Sequence, residues 1–264
     1  MIYENTKYED RYGARWGTGQ NYANYLHSFT DFDLLPRRKP IIEPPKPKTN
    51  TVDIPGADGS LDLSEVLTSS IHYSNRKGTF EYVYTGPREG WDVIYHRLLG
   101  YLHGKTMRCI IDDDNGGYYE GRWTVKAPQY ANDRMYITVE GDLEPYRYDL
   151  YTSTEPWIWD TFEFATGVIR DYAHVTVDIA SVSSITTDAR AIVLLGSEKP
   201  VVPNIILESG SVSVAYYAGG TLKTVNLTSG SNISQTPDLV VQEDTTIYVW
   251  GTGTFSIEYR GGLL

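Results

Sequence analysis

The chain carries a single cysteine in 264 residues. Cys109 therefore has no internal disulfide partner, which fits folding in a reducing cytoplasm and excludes a disulfide-stapled scaffold. No run of 18 apolar residues occurs, so no helix is expected to insert in a membrane. The opening MIYENTK has neither the basic nor the apolar region of a secretory leader. Positive charge is also scarce: 23 Lys and Arg against 34 Asp and Glu give a net charge of −11. Such a chain lacks the electrostatic footprint of a nucleic-acid binder, although DNA can pass an acidic surface without adhering.

Histidine is sparse, with five residues. His96 and His103 lie seven apart on a predicted helix that has no carboxylate or cysteine at ligand spacing, so no metal site is expected. Cys109, beside Ile110 and Ile111 in a predicted strand, reads as a small buried apolar residue; no base is paired with it to make a nucleophile. Asp112, Asp113 and Asp114 offer carboxylates for a cation or for glycoside cleavage, but at a hairpin tip they read more simply as a solvated turn. There is no phosphate loop, nucleophile elbow or zinc motif. No catalytic, metal-binding or cofactor-binding residue is assigned, and the chain is not read as an enzyme.

What is present is ordinary globular composition, 41% hydrophobic and 22% charged, with 22 tyrosines. The length suits one large or two ordinary domains. Charge is unevenly spread. Residues 1–149 hold 18 basic and 22 acidic residues, whereas 150–264 hold 5 and 12. This shift, beside Glu144-Pro145 and Glu155-Pro156, predicts a boundary near 148–160, with an N-terminal domain over 1–149 and a C-terminal domain over 150–264.

In the first half, residues 36–47 hold five of the 13 prolines, interspersed with Arg37, Arg38, Lys39, Lys46 and Lys48. Proline fixes φ and removes donors, so this stretch is expected to be extended at the surface. It is either a connector or an arm that docks on an acidic neighbour. DIPGADGSLDLS, at 53–64, predicts a tight turn and lacks the spacing of an EF-hand. Alternation predicts strands over 79–84 and 135–141. Trp91, Ile94, Tyr95, Leu98, Leu99 and Leu102 form one helical stripe within 88–103. Strands over 106–111 and 118–125 flank Asn115-Gly116, a strong hairpin signal.

The second half reads as short strands at 175–179, 191–195, 204–207, 212–216, 223–227, 239–242, 246–250 and 255–259, with Gly219-Gly220 closing a hairpin. The expected class is mainly β: an antiparallel sheet system with one helix, then a jelly-roll-type sandwich. Trp157 and Trp159 share one side of a strand by parity. They either stack on a sugar or partner, or plug a seam between domains.

HSFTDFDLLP at 27–36, RKP at 38–40 and KTNTVDIPGADGSLDLSE at 48–65 resemble the distal tail proteins of long-tailed phages and prophages of Gram-positive bacteria. So do YSNRKG at 73–78, YLHGK at 101–105, YYEGR at 118–122, LEPY at 143–146 and the closing YRGGL at 259–263. The similarity spans nearly the whole chain and is strongest over 27–147. It implies a ring-forming N-terminal belt domain related to tail-tube proteins and a galectin- or carbohydrate-module-like outer sandwich. It further implies a homohexamer, in one ring or two stacked rings, at the virion tail tip, produced in the host cytoplasm. Its partners would be the tail tube protein, a tail-associated central protein and the receptor-binding apparatus, with DNA passing through unbound. The alternative is a glycan-binding sandwich that aids attachment to the host cell wall.

Overall fold

Alternation in RKGTFEYVY turns Gly78, Phe80 and Tyr82 to one side, and in the computed structural model this segment is a strand with that side buried. The structure describes residues 12–56, 58–66, 70–150, 162–163, 168–169, 175–179, 189–230 and 233–264. It divides into two compact units, the first running to Arg147 and the second comprising Tyr148–Leu263.

The first unit holds β1 (Ala14–Gly17), β2 (Leu26–His27), β3 (Leu34–Pro36), β4 (Ile41–Ile42), β5 (Thr51–Asp53), β6 (Ser60–Asp62), β7 (Arg76–Tyr84), β8 (Thr106–Ile111), β9 (Asp114–Val125), β10 (Gln129–Ala131) and β11 (Arg134–Leu143). All but β5 and β6, which form a separate ribbon, belong to an antiparallel sheet with the row β2-β1-β8-β9-β11-β7-β3, β10 on β11 and β4 on β7. The two ends of the row are neighbours in sequence, and the Leu34 N–H donates to the Ser28 carbonyl at 2.9 Å. The sheet thus curls until its edges nearly meet, which leaves little open backbone. Trp16, Phe80 and Trp123 meet edge-to-face inside it, with centroids 5.3 to 5.9 Å apart. The Trp123 indole N–H donates to the Met107 carbonyl at 2.9 Å.

Among the described residues there is one α-helix, α1 (Trp91–Leu102), as the stripe predicts. Ile94, Leu98 and Leu102 are buried, and Trp91, Tyr95 and Leu99 pack partly against the same core. A 3₁₀ turn over Arg88–Gly90 precedes the helix.

The β8–β9 turn differs from the expected one. Ile111 pairs directly with Asp114, so the tight turn is Asp112-Asp113 and Asn115-Gly116 lies within β9. Between that pair and Cys109–Tyr119, Ile110 alone opposes four residues of β9, an irregular bulge. Side-chain bonds to all three aspartates, described below, hold the chain at this turn.

The strand β12 (Arg147–Asp149) spans the point of division. The second unit contains β13 (Phe162–Glu163), β14 (Val168–Ile169), β15 (Val175–Ile179), β16 (Arg190–Leu194), β17 (Asn204–Ala218), β18 (Thr221–Asn226), β19 (Thr245–Glu258) and β20 (Gly262–Leu263). Four of the predicted strands are in fact two long ones: 204–207 and 212–216 merge in β17, and 246–250 and 255–259 fall in β19. These two pair along most of their length, and β15 and β16 share the other edge of β19 end to end. In β17 a bulge at Glu208 shifts the register, so Ile205 and Leu207 face the core before it and Val212, Val214 and Tyr216 after it. Residues 239–242 make no strand; Val241 forms one bridge with Val201, while Leu239 and Val241 are buried. The mainly-β class, with a single α-helix among the described residues, is the architecture observed.

Candidate functional site

The constellation with the greatest superficial likeness to a catalytic group is His27–Asp112. His27 Nε2 and Asp112 Oδ2 are 2.7 Å apart, and the Arg15 Nε–H donates to Asp112 Oδ1 at 3.2 Å. The other ring nitrogen, Nδ1, accepts the backbone N–H groups of Phe29 and Thr30, each at 3.2 Å. Two amide donors on Nδ1 place the neutral ring's proton on Nε2, so no lone pair is left for a general base. His27 acts here as a clasp between the β2 turn and the β8–β9 tip.

The remaining aspartates of the tip are paired in turn. Asp113 accepts from Lys39 Nζ at 3.1 Å, and Asp114 takes both arms of the Arg147 guanidinium, with Nε at 2.7 Å. Three carboxylates on three separate cations are pinned in a structural turn. Cys109 is fully buried, and burial pushes its thiol well above the usual range, the opposite of what a nucleophile requires. His103 lies just beyond α1 with Nδ1 accepting the Val125 N–H at 3.1 Å, so it forms no pair with His96. Among the described residues, no group of three His, Cys, Asp or Glu could hold a metal ion, and no helix is long and apolar enough to cross a membrane.

The proline-rich arm, which includes β4, runs along the edge of β7 opposite β11 and along residues 72–74 before it. Arg37 N–H donates to the Glu81 carbonyl, Glu43 N–H to that of Lys77, Lys48 N–H to that of His72, and Ser74 N–H to that of Lys46, at 2.7 to 2.9 Å. Its cations also bind within the chain: Arg37 and Arg38 meet the Glu81 carboxylate and Lys39 meets Asp113. Proline suits this position because an edge segment needs donors on one side only. The side chains of Lys46 and Lys48 lie exposed. Trp157, Trp159 and His174 lie outside the described residues.

The segment 53–64, expected as a tight turn, belongs to a hairpin. β5 and β6 pair only with each other, and all six strand residues are exposed. Val52 sits directly opposite Leu61, 45% and 50% exposed, and Ile54 and Val66 are exposed nearby. A two-stranded ribbon is at best marginal alone in water, and an apolar pair on its open face invites a partner surface. Three-residue strands carry too short an alternation to be read from sequence.

The sequence matches no protein-family model, and it matches no curated protein. The fold is similar to the crystal structure of the SPP1 Dit (gp 19.1) protein, described as a paradigm of the hub adsorption apparatus in phages infecting Gram-positive bacteria. The likeness covers 89% of this chain and 96% of that one, with a TM-score of 0.56 and 12% sequence identity.

Proposed function

We propose that this chain is a structural protein of a phage or prophage tail tip, of the distal tail type, with no catalytic step. Six copies close a ring through the first unit, and the second unit projects as an outer sandwich. The ring joins the tail tube protein to a tail-associated central protein and to the receptor-binding apparatus. The observation that carries this reading is the fold shared with SPP1 Dit over nearly the full length of both chains.

Two local features support it. The β5–β6 hairpin exposes the paired Val52 and Leu61 on a ribbon that needs a partner to be stable, as a contact between subunits would supply. The arm bearing Arg37, Arg38, Lys39, Lys46 and Lys48 lies along β7, with Lys46 and Lys48 free to meet an acidic neighbour. A ring of six chains, each at −11, would repel DNA moving through its lumen rather than retain it.

Light scattering after size exclusion tests the reading. A particle of about 180 kDa, six times 29.8 kDa, or twice that for stacked rings, is expected, with an annular outline in electron micrographs. A chain that stays monomeric at high micromolar concentration refutes it.

A further inference from the structure

One surface of the first unit sets an aromatic stack beside a polar turn. The start of α1 and the β10–β11 turn enclose an open cleft of about 570 Å³, within the roughly 300–1,000 Å³ of small-molecule sites. In it the rings of Trp91 and Tyr130 stack at 5.0 Å with an interplanar angle of 22°. Arg88 covers Trp91, its guanidinium carbon 5.2 Å from the ring centroid. One face of Tyr130 therefore rests on Trp91, while 53% of the residue stays open to solvent. Asp92, Asn132 and Asp133 complete the lining.

The turn beside this platform presents two polar side chains. Asn132 and Asp133 form a two-residue loop between Ala131 and Arg134 with φ of 51° and 56°. Asparagine suits the first of two left-handed positions, and glycine is the commoner residue at the second, where Asp133 stands. Asn132 and Asp133 thereby place two hydrogen-bonding side chains on the rim of the cleft.

We propose that this cleft binds a neutral saccharide, with a pyranose ring stacked on the open face of Tyr130 and its hydroxyls held by Asp92, Asn132 and Asp133. An aromatic face suits the apolar side of a sugar ring, and carboxylate and amide groups suit its hydroxyls. Two carboxylates against one guanidinium disfavour an anion. A ligand cation is disfavoured because Arg88, which also reaches Asp133 at 3.4 Å, already lies against the ring stack. The site goes beyond the ring-hub reading and does not depend on it, since every residue involved belongs to one copy.

The test is calorimetric titration of the full-length protein with N-acetyl-chitotetraose, maltotetraose and cellotetraose at millimolar concentration, with choline alongside. At least one sugar is expected to bind. Tyr130→Ala should weaken that binding about tenfold, and Tyr130→Phe should restore it. Asp133→Gly should also weaken binding while leaving Tm unchanged or higher, because glycine relieves the left-handed strain; a purely structural turn would not couple the two readouts in this way. No sugar binding, binding of choline alone, or sugar binding that survives Tyr130→Ala overturns the proposal. None of these outcomes alters the particle mass by which the ring is judged.

Discussion

Gly210 faces Gly253 across the β17–β19 ladder, and a Cβ added to Gly210 would lie 2.1 Å from the Thr252 carbonyl oxygen. Its φ of 83° adds a second demand for glycine. Gly251, with φ of 114°, makes the same close approach from the other strand, a Cβ there falling 2.2 Å from the Ser211 carbonyl oxygen. The two long strands cross at these points backbone against backbone.

Gly210→Ala should therefore lower stability by about 2–3 kcal/mol, combining left-handed strain with a backbone collision. Gly219→Ala, also left-handed but with no atom within 4 Å of its Cβ, should cost only about 1 kcal/mol. Urea midpoints for the two variants measure the difference.

Arg76 is 6% exposed, and its guanidinium lies over the Tyr119 ring at 5.0 Å, with Nε and Nη2 making no hydrogen bond. Burial lowers its pKa. A buried cation left incompletely bonded stabilises little, so Arg76→Met should leave stability unchanged or raise it by up to about 2 kcal/mol. Arg76→Glu should destabilise the fold, and thermal melts of the two variants should move apart.

Glu140 stands between Lys77 and Lys126, at 3.2 and 3.0 Å. Burial by itself would raise its carboxyl, but the hydrogen bonds and charges of Lys126 and Lys77 outweigh that and hold it below its ordinary value of 4.5. A depressed folded-state value means stability that is complete above about pH 4.5 and lost as the pH falls through the folded value. Glu140→Gln should thus be less stable than the parent by a constant amount at neutral pH. The gap should narrow below pH 4.5, as followed by denaturant titration across pH.

Replacing Val52 and Leu61 together by serine removes the apolar pair from the β5–β6 ribbon. Both are exposed, so the change in chain stability should stay within about 0.5 kcal/mol. If the ribbon serves subunit contact, the same variant should shift particle mass from ring towards monomer, which light scattering reads directly. An unchanged ring would remove the hairpin from the assembly contact.

Much of this molecule follows from local pattern. The stripe from Trp91 to Leu102 has a period only a helix satisfies, and the alternation of Phe80 and Tyr82, or of Val212, Val214 and Tyr216, suits only strands. Charge density falls past residue 149, and a lone Cys109 beside Ile110 and Ile111 has little to do but fill space. These properties depend on residues a few positions apart, and a linear reading reaches them.

Tertiary structure alone decided the rest, because it depends on which distant groups meet. Asn115-Gly116 is a good local turn, yet the turn forms at Asp112-Asp113, where bonds from Arg15, His27 and Lys39 outweigh local preference. The parity break at Glu208 and the glycines at 210 and 251 read as ends of strands. In the fold they are a bulge and close crossings within continuous strands, since the facing residues lie 39 to 48 positions away. The stack of Trp91 on Tyr130 likewise joins a helix start to a hairpin thirty-nine residues on. Spacing in sequence carries no record of such a meeting; only the curl of the sheet creates it.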